Sequence, residues 1–279
     1  MTTSILALLA HPDDESFGPG GTLARYAANG VDVHIVIATD GAAGSVEKGY
    51  EEQRNELASV RAVELKKAVE ILKGHLHTLD YRDSGMAGDP ANEHPNAFIN
   101  ADENEAVGRV VRLIREIKPE VVITHDETGG YFHPDHIMCW KITTAAFHAA
   151  GDPTRYPEIG PTPFQPQKLY YTAIPKGFVR VMTTIMRIMG RNPKKMGRNK
   201  DVDFTRVGYP RSKIHTSIDG RPYWEIKRSA SAEHKTQGGG RLFAAFLPHF
   251  LLKQLFGYDR FIRAHPVAQD GLRETDLFA

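Results

Sequence analysis

The residues of this chain best suited to chemistry fall in two short runs. His11-Pro12-Asp13-Asp14-Glu15 follows an apolar stretch near the start, and His133-Pro134-Asp135-His136 closes "DETGGYFHPDH" (126–136). His11 and Asp14 lie three apart in one tight turn. Pro134 suits the first position of a helix, and a helix starting there sets His133 and His136 on a shared face near its N-terminus. Imidazole and carboxylate donors from two separate loops are what a catalytic zinc ion with an open coordination position requires. These residues therefore point to His11, Asp14 and His136 as ligands of one metal ion, with water in the remaining position. Asp13 is left over. Adjacent residues of a turn point in different directions, so Asp13 can reach the water while Asp14 holds the ion. Zinc lowers the pKa of water from about 15.7 to about 7, which lets a nearby carboxylate take its proton. His133 is then a candidate to stabilise a developing oxyanion or to protonate a leaving group, with Asp135 orienting a histidine from behind. Any one of the 13 histidines is by default a capping or core residue; pairing within two motifs sets these three apart.

Such donors must be held by a scaffold, and the hydrophobic pattern supplies one. "SILALLA" (4–10) and "VDVHIVIAT" (31–39) are β-type runs, and "GTLARYAANG" between them has helical spacing with a closing glycine. A long amphipathic helix is expected from about Glu51 to Lys73, then a short strand at "HLHTLDY", a polar loop over 82–100 and a helix over "ENEAVGRVVRLIREI". "PEVVITHD" reads as a buried strand, "HPDHIMCWKITTAAFHAA" as a helix and "KLYYTAI" (168–174) as a further strand. An irregular segment to about 220 and a helix near "PYWEIKRSASAEHKTQ" follow. Strands alternating with helices predict an α/β fold: a Rossmann-like, mostly parallel sheet with helices on both faces. The chain is expected to form a single domain over 1–279, with a core of about 1–175 and an irregular, substrate-facing C-terminal elaboration over about 176–279. Ligands of such sheets bind beyond the carboxyl ends of the strands, which would gather "HPDDE", "TDGAAGS" (39–45) and "HDETGGYFHPDH" at one edge. For "TDGAAGS" an ordinary polar loop is the default.

Composition narrows the function further. The 35 basic and 34 acidic residues leave the 279-residue chain nearly neutral, so no global charge favours nucleic acid or an acidic membrane, and a small-molecule substrate is expected. A single cysteine, Cys139, excludes an intramolecular disulfide framework and suits a reducing cytoplasm. The start has no basic leader or cleavage site and reads as a first strand. No apolar run approaches the roughly 20 residues needed to span a bilayer.

"AHPDDE" followed far downstream by "GGYFHPDH" resembles the LmbE-like, or PIG-L, superfamily of zinc-dependent N-deacetylases, which have a Rossmann-like α/β fold. The resemblance covers roughly residues 4–150. "RAVEL" (61–65), "YRDSGM" (81–86), "DETGGYFHPDH" and "AEHKTQ" (232–237) echo its mycothiol-pathway branch: the deacetylase of an N-acetylglucosaminyl inositol and the amidase of mycothiol S-conjugates. It implies His11, Asp14 and His136 as ligands of Zn2+, one per chain with Fe2+ as the alternative, and Asp13 as general base. It also implies that His133 and Tyr131 face the scissile carbonyl and that Arg61, Asp83 and Met86 line a sugar pocket. A solvated arginine is the ordinary reading of Arg61 on a helix. The chain departs from the branch at Ala42 or Ala43, in one of whose positions an acid is common, and at Phe132, which replaces a frequent glycine.

The expected function is thus removal of the N-acetyl group from an N-acetylglucosaminyl conjugate by metal-activated water. Cleavage of the amide of a thiol S-conjugate is the alternative, and a metal-dependent phosphoesterase ranks third. "GPGG" (18–21) with Asp40 mimics part of a dinucleotide fingerprint, but three acids stand where a pyrophosphate would approach. Two segments stay open. "FVRVMTTIMRIMGRNPKKMGRNK" (178–200), with its basic residues over 187–200, reads as a core-packed helix with a solvated basic loop, as a lid, or as a peripheral membrane contact. "RLFAAFLPHFLLKQLFG" (241–257) reads as a core helix or an interface of a homo-oligomer.

Overall fold

The computed structural model describes residues 3–160, 162–196, 200, 202–239 and 249–279. Seven strands form one sheet: β1 (Ser4–Leu9), β2 (Asp32–Thr39), β3 (His75–Tyr81), β4 (Val121–Thr124), β5 (Lys168–Thr172), β6 (Thr216–Asp219) and β7 (Tyr258–His265). The order is β3-β2-β1-β4-β5-β7-β6. The first five strands run parallel, and β7 pairs antiparallel with both β5 and β6. Nine helices accompany them among the described residues: α1 (Asp14–Phe17), α2 (Gly20–Ala28), α3 (Leu57–Leu72), α4 (Glu103–Ile117), α5 (Gly129–Phe132), α6 (Pro134–Ala149), α7 (Lys176–Ile188), α8 (Trp224–Glu233) and α9 (His249–Phe256).

β1 is apolar throughout because both its faces are covered. Leu6 and Leu8 pack with Val110, Ile114 and Ile142 of α4 and α6, while Ile5, Ala7 and Leu9 pack with Leu23, Leu65, Val69 and Ala230 of α2, α3 and α8. A strand of period two buried on both sides reads as a continuous hydrophobic run, as parallel sheets require. The expected mostly parallel sheet with helices on both faces is what forms.

Three boundaries differ from the sequence reading. The expected helix over 51–73 divides into a 3-10 segment, Glu51–Glu56, and α3 proper, because "EEQRNE" offers no buried side chain to anchor an α-turn. The segment assigned as irregular to about 220 contains α7 and β6. The C-terminal third also completes the sheet, with β6 and β7 extending it beyond β5. β7 escaped notice because a carboxylate, Asp259, sits in an inward position: it is buried and takes hydrogen bonds from Thr22 N (2.6 Å), Thr22 Oγ1 (2.8 Å) and Lys227 Nζ (2.8 Å).

Reading outward from β1, the chain proceeds to β2 and β3 on one side and to β4 and β5 on the other. The loops leaving the carboxyl ends of β1 and β4 therefore diverge, and the crevice at such a switch point is where these sheets bind ligands. His11 lies two residues after β1 and His125 one residue after β4.

Candidate metal-dependent active site

The turn after β1 and the N-terminus of α6 meet in this crevice. His11 Nδ1 is 3.2 Å from His136 Nε2 and 3.5 Å from Asp14 Oδ2, and His136 Nε2 is 3.4 Å from the same oxygen. Tetrahedral bonds of about 2.1 Å put donor atoms about 3.4 Å apart, so the triangle has the dimensions of one ion's coordination face. Tautomers agree. Asp135, fully buried, takes a hydrogen bond from His11 Nε2 (3.2 Å) and another from the Ser84 amide (2.9 Å), which leaves the lone pair of His11 Nδ1 facing the triangle. Burial alone would raise the Asp14 carboxyl, but His136 and the neighbouring His11 and His125 hold it well below the usual range.

Two further histidines crowd the same space. His125, which the sequence reading did not single out, stacks on His136 with centroids 3.8 Å apart, and its Nε2 lies 3.6 Å from Asp14 Oδ2. Asp14, His125 and His136 could also hold an ion, as could His11 with His133 and His136 or His11 with Asp83 and Asp135. Hydrogen bonding ranks them. His125 Nε2 accepts the Ala10 amide (3.2 Å), so its lone pair is engaged. His133 Nδ1 accepts the Asp135 amide (3.2 Å), capping α6, which leaves Nε2 carrying the hydrogen. Burial and the neighbouring histidines hold His133 well below its ordinary pKa. It is a neutral N–H donor on the cavity wall.

Asp13 stands beside the triangle in a strained backbone, with φ 128° and ψ −29°. Its amide donates to Glu15 Oε2 (2.9 Å), and its Oδ2 accepts Arg61 Nη2 (2.9 Å). Burial pushes its carboxyl up to about 6 against the pull of Arg61, near the pH where a general base works well. Arg61 is no solvated helix residue: it is 2% exposed and also donates to the carbonyls of Pro12 and Gly41.

A cavity of about 350 Å³ opens over these groups, a volume within the range of small-molecule sites. His11, Asp13, Arg61, Asp83, Met86, Tyr131 and His133 all reach its wall, so every residue singled out for catalysis or substrate lies in it or directly behind it. Burial pushes the Tyr131 phenol above its ordinary value, so it remains a donor. "TDGAAGS" is more than an ordinary loop. Asp40 Oδ1 accepts the amides of Ala42 (2.9 Å) and Asp83 (3.0 Å), and Ala43, Gly44 and Ser45 line the cavity. Phe132 sits at φ 71°, a backbone region that favours glycine, and its ring lies under the Arg206 guanidinium at 5.4 Å.

The C-terminal half closes the back of the site. Glu64 takes hydrogen bonds from Thr236 N (2.9 Å) and Oγ1 (2.6 Å), which brings Gln237 to the cavity wall. Val202 and Phe204 form the opposite rim.

The chain is similar to several known proteins. A 1D-myo-inositol 2-acetamido-2-deoxy-alpha-D-glucopyranoside deacetylase from Geodermatophilus obscurus is 36% identical over 289 residues, covering 99% of this chain and 97% of its own. A protein of the same description from Rhodococcus erythropolis is 37% identical over 304 residues, covering 100% and 98%. Among solved structures, N,N'-diacetylchitobiose deacetylase from Pyrococcus horikoshii superposes with a TM-score of 0.59 at 19% identity, covering 90% of this chain and 73% of that one, which is a likeness of fold. Residues 6–147 match the family profile PIG-L, GlcNAc-PI de-N-acetylase, and with two relatives at this identity over nearly its whole length, the chain belongs to that family.

Proposed function

We propose that the protein hydrolyses the acetamide of an N-acetylglucosaminyl conjugate of inositol, using one divalent ion held by His11, Asp14 and His136. Zinc suits the mixed nitrogen and oxygen donors, with Fe2+ as the alternative. The observation that carries this reading is the triangle of donors beside Asp13, at the switch point of a chain whose full-length relatives bear the name of that deacetylase. When bound, the ion would act as a Lewis acid and lower the pKa of water at the site.

The chain's own groups supply the remaining chemistry. Asp13, held by Arg61 through Oδ2, has Oδ1 to accept a proton from the attacking water and later pass it to the leaving amine. The N–H of neutral His133 and the hydroxyl of Tyr131 are the donors for charge developing on the carbonyl oxygen. Asp135 fixes the tautomer of His11. Asp83 and Met86 take the sugar, one through its hydroxyls and one against a ring face, and Arg61 borders the same pocket. The substrate is a small molecule, and the single buried Cys139 suits a reducing cytoplasm.

The test is product release from purified protein. Acetate should appear from 1D-myo-inositol 2-acetamido-2-deoxy-α-D-glucopyranoside and far more slowly, if at all, from N-acetylglucosamine or from the amide of a thiol conjugate. Preferential cleavage of the thiol conjugate would move the protein to the amidase reading, and release of phosphate from a phosphoester with no acetate from any amide would defeat both.

A further inference from the structure

Two helices of the C-terminal third present an apolar surface edged by cations that the catalytic reading does not use. On α7, Val179, Met182 and Met186 pack inward, while Val181 (52% exposed), Ile185, Ile188 (81%) and Met189 face solvent. On α9, Phe250 (65% exposed), Leu251 and Leu255 do the same. The rings of Phe178 and Phe256 meet edge to face at 5.3 Å, which joins the two helices in one surface. Scattered exposed hydrophobics are ordinary, but seven exposed apolar residues gathered on two touching helices mark an interaction site.

Charge identifies the partner. No acid occurs from residue 176 to 200 or from 241 to 257. Arg180, Arg187, Arg191, Lys194 and Lys195 are all exposed along or just beyond α7; the next acids in sequence are Asp201 and Asp203. This concentration is invisible in a chain whose basic and acidic residues nearly balance. We propose that this surface docks on a bilayer containing anionic lipids, with Ile188, Met189 and Phe250 entering the headgroup region and the cations meeting the lipid charge. An amphipathic helix with arginine and lysine around an apolar face lies in the plane of such an interface. A second copy of the chain fits less well, because across a twofold axis the same acid-free segments would meet each other and offer the cations no partner. The docked face adjoins the cavity. Met196 and Val202 exchange two backbone hydrogen bonds (2.9 and 3.0 Å), linking the basic segment to the rim residue Val202.

The inference stands apart from the catalytic reading, and its test needs no substrate. The full chain is sedimented with vesicles of phosphatidylcholine containing one third phosphatidylglycerol, and with vesicles of phosphatidylcholine alone, at low and high salt. It should pellet with the anionic vesicles at low salt and be released by high salt. Arg187→Gln and Arg191→Gln should each weaken partitioning roughly fivefold. Ile188→Asp combined with Phe250→Asp should abolish it without moving the melting temperature, since both side chains are solvent-exposed. Retention in the supernatant with anionic vesicles at low salt would overturn the proposal, as would undiminished pelleting of the Ile188→Asp, Phe250→Asp protein. A vesicle-independent dimer dispersed by Ile188→Asp, with no vesicle binding, would assign the face to a second copy and equally overturn it.

Discussion

His234 Nε2 donates to Glu15 Oε1 at 2.7 Å, with both side chains fully buried, and the other oxygen of Glu15 takes the amide of Asp13. The end of α8 thus reaches across the chain to hold the strained turn that aims Asp13. Non-glycine backbone at positive φ costs on the order of 1–3 kcal/mol and persists only where its surroundings over-determine it. His234→Ala should keep its metal, assayed by elemental analysis, while turnover falls roughly 10- to 100-fold. It should also lower stability by about 3–5 kcal/mol, since Glu15 loses a buried partner. His234→Gln, which can still donate to Glu15, should recover part of the turnover. Full activity in His234→Ala would show that Asp13 needs no such support.

Gly41 makes a second, sharper test of how Asp13 is held. It sits at φ 68°, and a Cβ there would overlap the guanidinium of Arg61. Gly41→Ala should displace Arg61 and lower turnover, again roughly 10- to 100-fold with metal retained. Gly30→Ala meets the same unfavourable sign of φ, at 81°, but nothing within 4 Å. It should therefore cost about 1 kcal/mol of stability and leave turnover unchanged. Equal turnover in the two variants would contradict the role given to Arg61.

A third prediction concerns stability in acid. Burial, with His77 and His75 alongside, pushes half-buried His34 down to about 4, and its Nδ1 lies 3.0 Å from His77 Nε2. The unfolded chain protonates His34 near its ordinary value of about 6.5, whereas the folded chain resists until about 4. Between those values the unfolded state binds more protons, so stability falls as pH is lowered through this window. His34→Gln should flatten the melting temperature between pH 7 and 4.5 relative to the parent. Parallel curves would remove His34 from the account.

Much of the site was legible because its chemistry is local in sequence. His11, Asp13 and Asp14 share one turn, and His133, Asp135 and His136 share one helix start, so spacing alone singled them out as candidates. β1 and β4 betrayed themselves as unbroken apolar runs. What escaped depends on contacts far along the chain. Glu15 and His234 are 219 positions apart, and neither residue type announces a partner at that distance. His125 looked like the polar end of a strand, and only the parallel packing of β1 on β4 brings its ring against His136. Asp259 hid β7 by putting a charge in an inward position, which becomes tolerable once Lys227 and Thr22 meet it. The apolar residues of 241–248 lie outside the described residues, while α9 shows that the rest of that run is helical.

The most direct test of the whole account separates two neighbours in "HPDDE". If Asp14 binds the ion and Asp13 moves the proton, Asp13→Asn should retain about one equivalent of metal per chain. Its turnover should fall by roughly 10² to 10⁴, the usual worth of a general base. His133→Ala should behave the same way, keeping metal and losing rate. Asp14→Ala should lose the metal. The measurement is metal content and acetate release on the three purified variants side by side. An emptied site in Asp13→Asn together with a filled one in Asp14→Ala would reverse the roles of the two carboxylates and contradict the account.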